Sequence, residues 1–238
     1  MRTEAISYDV GGVTYVGYLA LPDGDGTRAG VLIAHEGNGL GPQVKVRAHQ
    51  LAELGYVAFA VDYIGGGEVL ADMPSMIAKL GTLRADPDAV RTLAKAGLAV
   101  LAARPEVDAS RIAAIGYCFG GMCVLELARS GADVRAVVSY HGILTTQAPA
   151  RKGEVKCDVA AYCGAHDPYA PMDTIDGLRR ELAEAEARHQ IMIFGEAAHS
   201  FTDPNAASMG MPGIEYNAIA DRVSWAGTLA LLEAVLGS

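Results

Sequence analysis

One cysteine in this chain sits where a reactive group would have to sit. Cys118 lies in the run IGYCFGG, residues 115–121, with the spacing Gly116-x-Cys118-x-Gly120. Flanking glycines allow a strained strand-to-helix bend and close packing of the helix on the strand, the pattern of a nucleophile elbow with sulfur in place of oxygen. The start of a helix also presents unpaired N–H groups and a partial positive charge, which favour thiolate over thiol. A nucleophile so placed needs a base for its proton and an acid to orient that base. Asp167, after AAYCGAH, and His199, after IMIFGEAA, have the right types in the order nucleophile, acid, base. His199 would take the thiol proton and Asp167 would fix its tautomer. The oxyanion would be met by the N–H groups of Phe119, just after the nucleophile, and Gly37, in the loop after the third strand. Glu36, beside Gly37, is then held close to the sulfur.

The elements that must position these groups alternate between strand and helix. EAISYDVGGVTYVGYLALP gives two alternating segments around Gly11-Gly12, a hairpin signal. VLIAHEG is an apolar run ending in polar residues and glycine, as a buried parallel strand does. An amphipathic stretch from Val46 to Leu54 stops at Gly55, and YVAFAVDYIGGG repeats the strand-to-glycine pattern. A helical stretch from Pro87 to Arg104, the strand RIAAIGY, a helix from Cys118 to Ser130 and the strand VRAVVSYHG follow. KCDVAAYCGAHD, a helix from Met172 to His189, the strand IMIFGEAAH, an irregular stretch to Gly213 and a helix from Glu215 to Leu236 complete the chain. Such alternation predicts an α/β fold over residues 1–238, a single domain with a mostly parallel central sheet flanked by helices on both faces. Active groups of these sheets gather at the carboxyl ends of the strands, where the candidates fall.

Bulk properties narrow the partners. The 238 residues are 51% hydrophobic, enough for one sizeable core. Lys+Arg 19 against Asp+Glu 28 gives a net charge of -9 without a basic run, which argues against nucleic acid. MRTEAISYDV carries an early glutamate and no apolar core of a leader, and no window approaches a membrane span, so the chain reads as a soluble, cytoplasmic protein that binds no membrane. The four cysteines, at 118, 123, 157 and 163, form neither CxxC pairs nor zinc spacings with histidine, consistent with a reducing compartment. IGGGE lacks a phosphate-loop lysine and dinucleotide spacing. The expectation is no metal and no cofactor.

Taken together, GYCFGG, GAHDPYAP, EAAHSF and the glutamate of HEGNGL resemble the dienelactone hydrolase family of α/β-hydrolases, over nearly the whole chain. The resemblance implies an α/β-hydrolase fold and a Cys118, Asp167, His199 triad that opens a small-molecule ester or lactone through an acyl-enzyme, in a monomer or homodimer. It also implies a role for Glu36, whose negative charge would keep the thiol protonated and less prone to oxidation until substrate arrives. One departure stands out. Where relatives acting on dienelactone carry an arginine after HSF, this chain has Thr202 and Asp203. An Asp203 facing the pocket would repel a substrate carboxylate, pointing to a neutral or bulkier ester, with Arg84 as a compensating cation. A thiolate is easily expelled from a tetrahedral intermediate while a neutral amine is not, so esters and lactones suit this nucleophile better than amides.

Blander readings stand beside these. Cys123, Cys157 and Cys163 read as core, and Asp62 as structural. His35 and His141 read first as ordinary buried histidines and second as pocket lining. Tyr140, Phe119, Tyr169 and Trp225 could line a pocket or pack in the core. The competing functions are an amidotransferase-like fold, disfavoured because Phe119 and not histidine follows the cysteine, and a non-catalytic or redox-sensing α/β-hydrolase-fold protein.

Overall fold

The computed structural model describes residues 1–237, so Ser238, the last residue of the domain expected over 1–238, lies outside the described residues. Strands β1 (Arg2–Val10) and β2 (Val13–Leu21) form a hairpin whose register pairs Val10 with Val13. The turn needs its two glycines, because Gly11 and Gly12 both have positive φ, 58° and 82°. β3 (Arg28–Ala34), β4 (Val57–Val61), β5 (Val107–Tyr117), β6 (Ala136–Tyr140), β7 (Asp158–Gly164) and β8 (His189–Phe194) complete one eight-stranded sheet. Its order is β1-β2-β4-β3-β5-β6-β7-β8, parallel from β4 to β8 with the hairpin joined antiparallel at one edge.

Both faces of the sheet are covered, which explains the unbroken apolar runs VAFAV and AVVSY, in which every residue is buried. Alternation along β3 sends Leu32 and Ala34 into one core and Val31 and Ile33 into the other. Helices α1 (Pro42–Glu53) and α6 (Ala218–Leu236) cover the second face through Val44, Leu51, Ala220 and Leu232. Helices α3 (Pro87–Ala102), α4 (Phe119–Arg129) and α5 (Met172–Glu184) cover the first through Leu93, Val124, Leu127 and Leu178. Among the described residues no helix is long and apolar enough to cross a membrane.

Several boundaries differ from the sequence reading. α1 starts at Pro42, four residues before Val46, because a proline is well placed in a first turn whose N–H would be unpaired anyway. α5 stops at Glu184 and His189 belongs to β8: Glu186 takes a left-handed φ of 56° and ends the helix without a glycine. α6 starts at Ala218, where the Asn217 side chain accepts the N–H groups of Ile219 and Ala220. One further helix, α2 (Met73–Arg84), spans part of residues 63–84. Asp72 caps it by accepting the Ser75 N–H at 2.8 Å.

Candidate functional site

The sulfur-bearing bend is fixed by main-chain packing. β5 ends at Tyr117, α4 begins at Phe119, and Cys118 between them has φ 55° and ψ −116°, a conformation L-residues seldom adopt. Three hydrogen bonds hold it. The Cys118 N–H donates to Tyr140 O at 3.0 Å and to His141 Nδ1 at 3.2 Å, and its carbonyl accepts the Gly121 N–H at 3.0 Å. A Cβ on Gly116 would stand 2.0 Å from the Gly120 carbonyl oxygen, and one on Gly120 would stand 2.1 Å from that of Ala34. Glycine is therefore required at both positions, and α4 packs close enough to lift the Cys118 side chain above the strand ends.

The loops after β7 and β8 bring the other two candidates to the sulfur. His199 Nε2 lies 3.1 Å from Cys118 Sγ, and His199 Nδ1 lies 2.8 Å from Asp167 Oδ2. The second Asp167 oxygen accepts the Tyr169 N–H at 2.8 Å, so the carboxylate cannot turn away. The main chain of His199 is clamped too, donating to Gly213 O at 2.9 Å and accepting from Glu215 N–H at 3.0 Å. Asp167 and His199 are buried, whereas Cys118 is partly exposed. Burial alone would lower the His199 pKa; the Cys118 sulfur and the hydrogen-bonded Asp167 carboxylate outweigh it and lift it to about 10. Tyr169 packs edge-on against the imidazole, ring centroids 4.7 Å apart.

Glu36, Gly37 and Phe119 line the same cavity as Cys118 and His199. Among the described residues no turn or loop carbonyl accepts the Gly37 or Phe119 amide hydrogen. Glu36 is buried and its Oε1 has no hydrogen-bond partner among the described residues. Burial pushes its pKa up, Asp203 adds to this, and His199 and Arg47 oppose it, with a net value of about 8. The carboxyl expected to guard the thiol as an anion is thus itself held toward its neutral form near pH 7. Asp203 also departs from expectation. It does not line the cavity; its charge raises the Glu36 pKa, and its Oδ1 accepts the Asn205 N–H.

The cavity has a volume of about 340 Å³. Beyond the residues above, its walls are mostly apolar side chains that the sequence did not mark: Met76, Ile77 and Leu80 of α2 face Met209, Met211 and Ile214 of the irregular stretch. Arg84, expected before the long helix α3, is the last residue of α2 and lines the cavity. A larger cleft of about 740 Å³ lies elsewhere, lined by Arg91, Arg129 and Glu154 among others. None of the candidate residues borders it, and its buried Arg129 is already paired with Glu126 and Glu181.

Of the aromatic and histidine candidates, Tyr169 and Phe119 line the cavity, while Tyr140 packs in the core and half-buried Trp225 packs against it. His35 is buried away from it, its Nε2 accepting the Tyr63 N–H at 3.1 Å. Asp62 is structural, since its carboxylate gathers the N–H groups of Val16, Ile64, Gly65 and Gly67. Cys123, Cys157 and Cys163 are buried. His141 has a role with no signal in its sequence neighbourhood. Its Nδ1 accepts the Cys118 N–H and its Nε2 lies 2.8 Å from Thr202 Oγ1, so one buried ring ties the bend to the segment after His199. Burial, with His199 nearby, holds its pKa well below the usual histidine value. Thr202 O in turn accepts from Gln43 at 2.7 Å and from buried Arg47 at 3.4 Å. No group of three or more His, Cys, Asp or Glu side chains that could hold a metal ion occurs among the described residues.

Comparison with known proteins places this geometry in context. The model of the dienelactone hydrolase family matches residues 16–236. The solved structure m3DLH aligns with a TM-score of 0.94 at 38% identity, covering 99% of this chain and 98% of its own. A dienelactone hydrolase-like promiscuous phosphotriesterase from metagenomic libraries gives a TM-score of 0.94 at 36% identity, covering 99% of each chain. A Bradyrhizobium protein named "Probable 2-oxo-3-(5-oxofuran-2-ylidene)propanoate lactonase" is 24% identical over 98% of this chain and 96% of its own length.

Proposed function

The chain belongs to the dienelactone hydrolase family, and from that premise we propose that it hydrolyses a carboxylic ester or lactone through a thioester on Cys118. The observation that carries this reading is the run of contacts from Cys118 Sγ to His199 Nε2 at 3.1 Å and from His199 Nδ1 to Asp167 Oδ2 at 2.8 Å. At neutral pH the shared proton resides on His199, whose pKa of about 10 reflects the sulfur and the Asp167 carboxylate outweighing burial. The sulfur attacks the carbonyl carbon, and the charge that develops on oxygen meets the N–H groups of Gly37 and Phe119. Collapse breaks the bond to the leaving oxygen, which takes the proton from His199. The imidazole, now neutral, removes a proton from water as the water attacks the thioester; the acid departs, the electron pair returns to sulfur, and His199 keeps the proton. Glu36 modulates this cycle, because it is neutral below about pH 8 and above it adds a negative charge in the cavity that holds the sulfur.

The mostly apolar walls favour a neutral ester or lactone over a charged one. The test is p-nitrophenyl acetate turnover with wild type and Cys118→Ala, combined with mass spectrometry of a quenched reaction. The expected result is a loss of about 10³-fold or more in the variant and an acyl adduct on Cys118 in the wild type. Equal rates in the two proteins would favour a non-catalytic or redox-sensing role.

A further inference from the structure

We infer that the acyl arm of the substrate, not its leaving group, runs out of the cavity beside Cys118 into a second recess, so that the site selects esters and lactones with an extended apolar acyl arm. This rests on the cysteine-hydrolase reading above. The recess has a volume of about 310 Å³ and is lined by Gly81, Arg84, Ala85, Met122, Ile143 and Thr145. Gly81, Arg84 and Ile143 also line the cavity that holds Cys118, so the two spaces meet along those residues. Cys118 caps α4 and Met122 lies four residues on. That is about one helical turn, roughly 6 Å along the axis. A chain bonded to the sulfur can therefore reach the recess.

The chemistry sets which arm goes there. His199 has to hand its proton to the leaving oxygen, so the leaving group lies on the His199 side, among Tyr169, Ser200, Met209, Met211 and Ile214. None of these residues lines the recess, whose walls come from α2, α4 and the loop after β6. The remaining substituent of the acyl carbon then faces Leu80, Gly81 and Ile143 and continues over Met122. The floor suits a hydrocarbon, since Met122 and Ile143 are buried apolar side chains, while Arg84 and Thr145 make the rim polar. An acetyl group leaves the recess unused. A longer arm gains apolar contact there, and the cavity and recess together fall within the usual size of small-molecule sites.

The experiment compares p-nitrophenyl esters from acetyl to decanoyl on wild type, Ala85→Phe and Thr145→Trp. Both positions are exposed and border only the recess. Wild type is expected to hydrolyse octanoyl ester at least as efficiently as acetyl ester. Each variant is expected to lose about tenfold or more in kcat/KM for octanoyl, with acetyl within about twofold of wild type. A second series, acetate esters of alcohols of increasing length, is expected to respond equally in all three proteins. A blocking effect that follows alcohol length, or octanoyl kinetics unchanged in both variants, would overturn the assignment. Failure of the underlying reading looks different: Cys118→Ala would then retain acetyl turnover, which neither blocking variant bears on.

Discussion

The two walls of the cavity obey different physical constraints. On the sulfur side, backbone meets backbone: added Cβ atoms at Gly116 and Gly120 would stand 2.0 Å and 2.1 Å from carbonyl oxygens, and α4 is buried along its whole length. On the opposite side stand α2 and residues 206–214, where Ile77 is 66% exposed, Met209 is 38% exposed and a Cβ on Gly81 would have nothing within 4 Å. The first wall fixes the sulfur and the neighbouring amide hydrogens through main-chain packing. The second is made of flexible thioethers and an exposed helix, which can adapt to what is bound. Reaction type is thus set by main-chain geometry, and substrate choice by side chains that contribute little to the core.

The largest effect that sharpens this contrast is expected from the proton path. Asp167→Asn should keep the fold and its hydrogen bond from Tyr169 N–H yet lower kcat by about 10³ to 10⁴-fold, because the amide cannot hold the imidazole tautomer and charge that the carboxylate holds. Leu80→Ala, on the other wall, should act mainly on KM for apolar esters. Steady-state kinetics on both variants checks the pair; an equal fall in kcat would abolish the distinction between the walls. Next comes the backbone itself. Gly120→Ala forces a Cβ toward the Ala34 carbonyl and should cost about 3 kcal/mol or more of stability, read from the urea midpoint. A midpoint unchanged from wild type would mean that the bend yields easily.

This division also explains what could be read from the chain. Cys118, Asp167 and His199 each follow a recognisable strand, and a glycine-flanked bend leaves a pattern because only glycine fits such an approach. The mostly parallel sheet is legible for a similar reason, since its buried strands must be apolar on both faces. α2 is not, although Asp72 and Pro74 are an N-cap and first-turn proline. Met76, Leu80 and Leu83 do recur at helical spacing and pack on the core, but Ile77 among them is exposed and lines the cavity, which blurs the stripe. The His141 to Thr202 link was hidden because residues 61 positions apart in sequence meet only once the sheet has formed. Asp203 differs for the opposite reason: its position after HSF points to the pocket, whereas it is absent from the cavity lining and its Oδ1 accepts the Asn205 N–H.

Glu36 belongs to the rigid wall but carries a titration, and its expected effect is intermediate. Its pKa is raised in the folded protein from 4.5 to about 8, so the folded state binds the proton more tightly than the unfolded chain does. The resulting stabilisation is fully present below about pH 4.5, declines as pH rises and is lost above about pH 8. Glu36→Gln should therefore flatten the fall in the urea midpoint between those limits. It should also remove any inflection near pH 8 from kcat/KM, while leaving in place the alkaline limb from His199, whose pKa of about 10 is set against burial by the sulfur and Asp167. Unfolding midpoints and rate profiles that overlay for the two proteins would show that the carboxyl is already ionised at neutral pH.

The smallest effect is expected on the adaptable wall, and it has the opposite sign from that at Gly120. Gly81 lies in the last turn of α2, without a positive φ and with open space where a methyl would go. Glycine inside a helix loses more backbone freedom on folding than alanine, so Gly81→Ala should stabilise the protein by up to about 1 kcal/mol in urea unfolding. The same methyl would stand at the junction between the cavity and the recess, where it narrows the route for a long acyl arm. The variant should then be more stable and at the same time poorer with octanoyl ester. That combination would mark Gly81 as a residue kept small for passage and not for backbone geometry, whereas a stability gain with unchanged chain-length preference would leave the junction wide enough for a side chain.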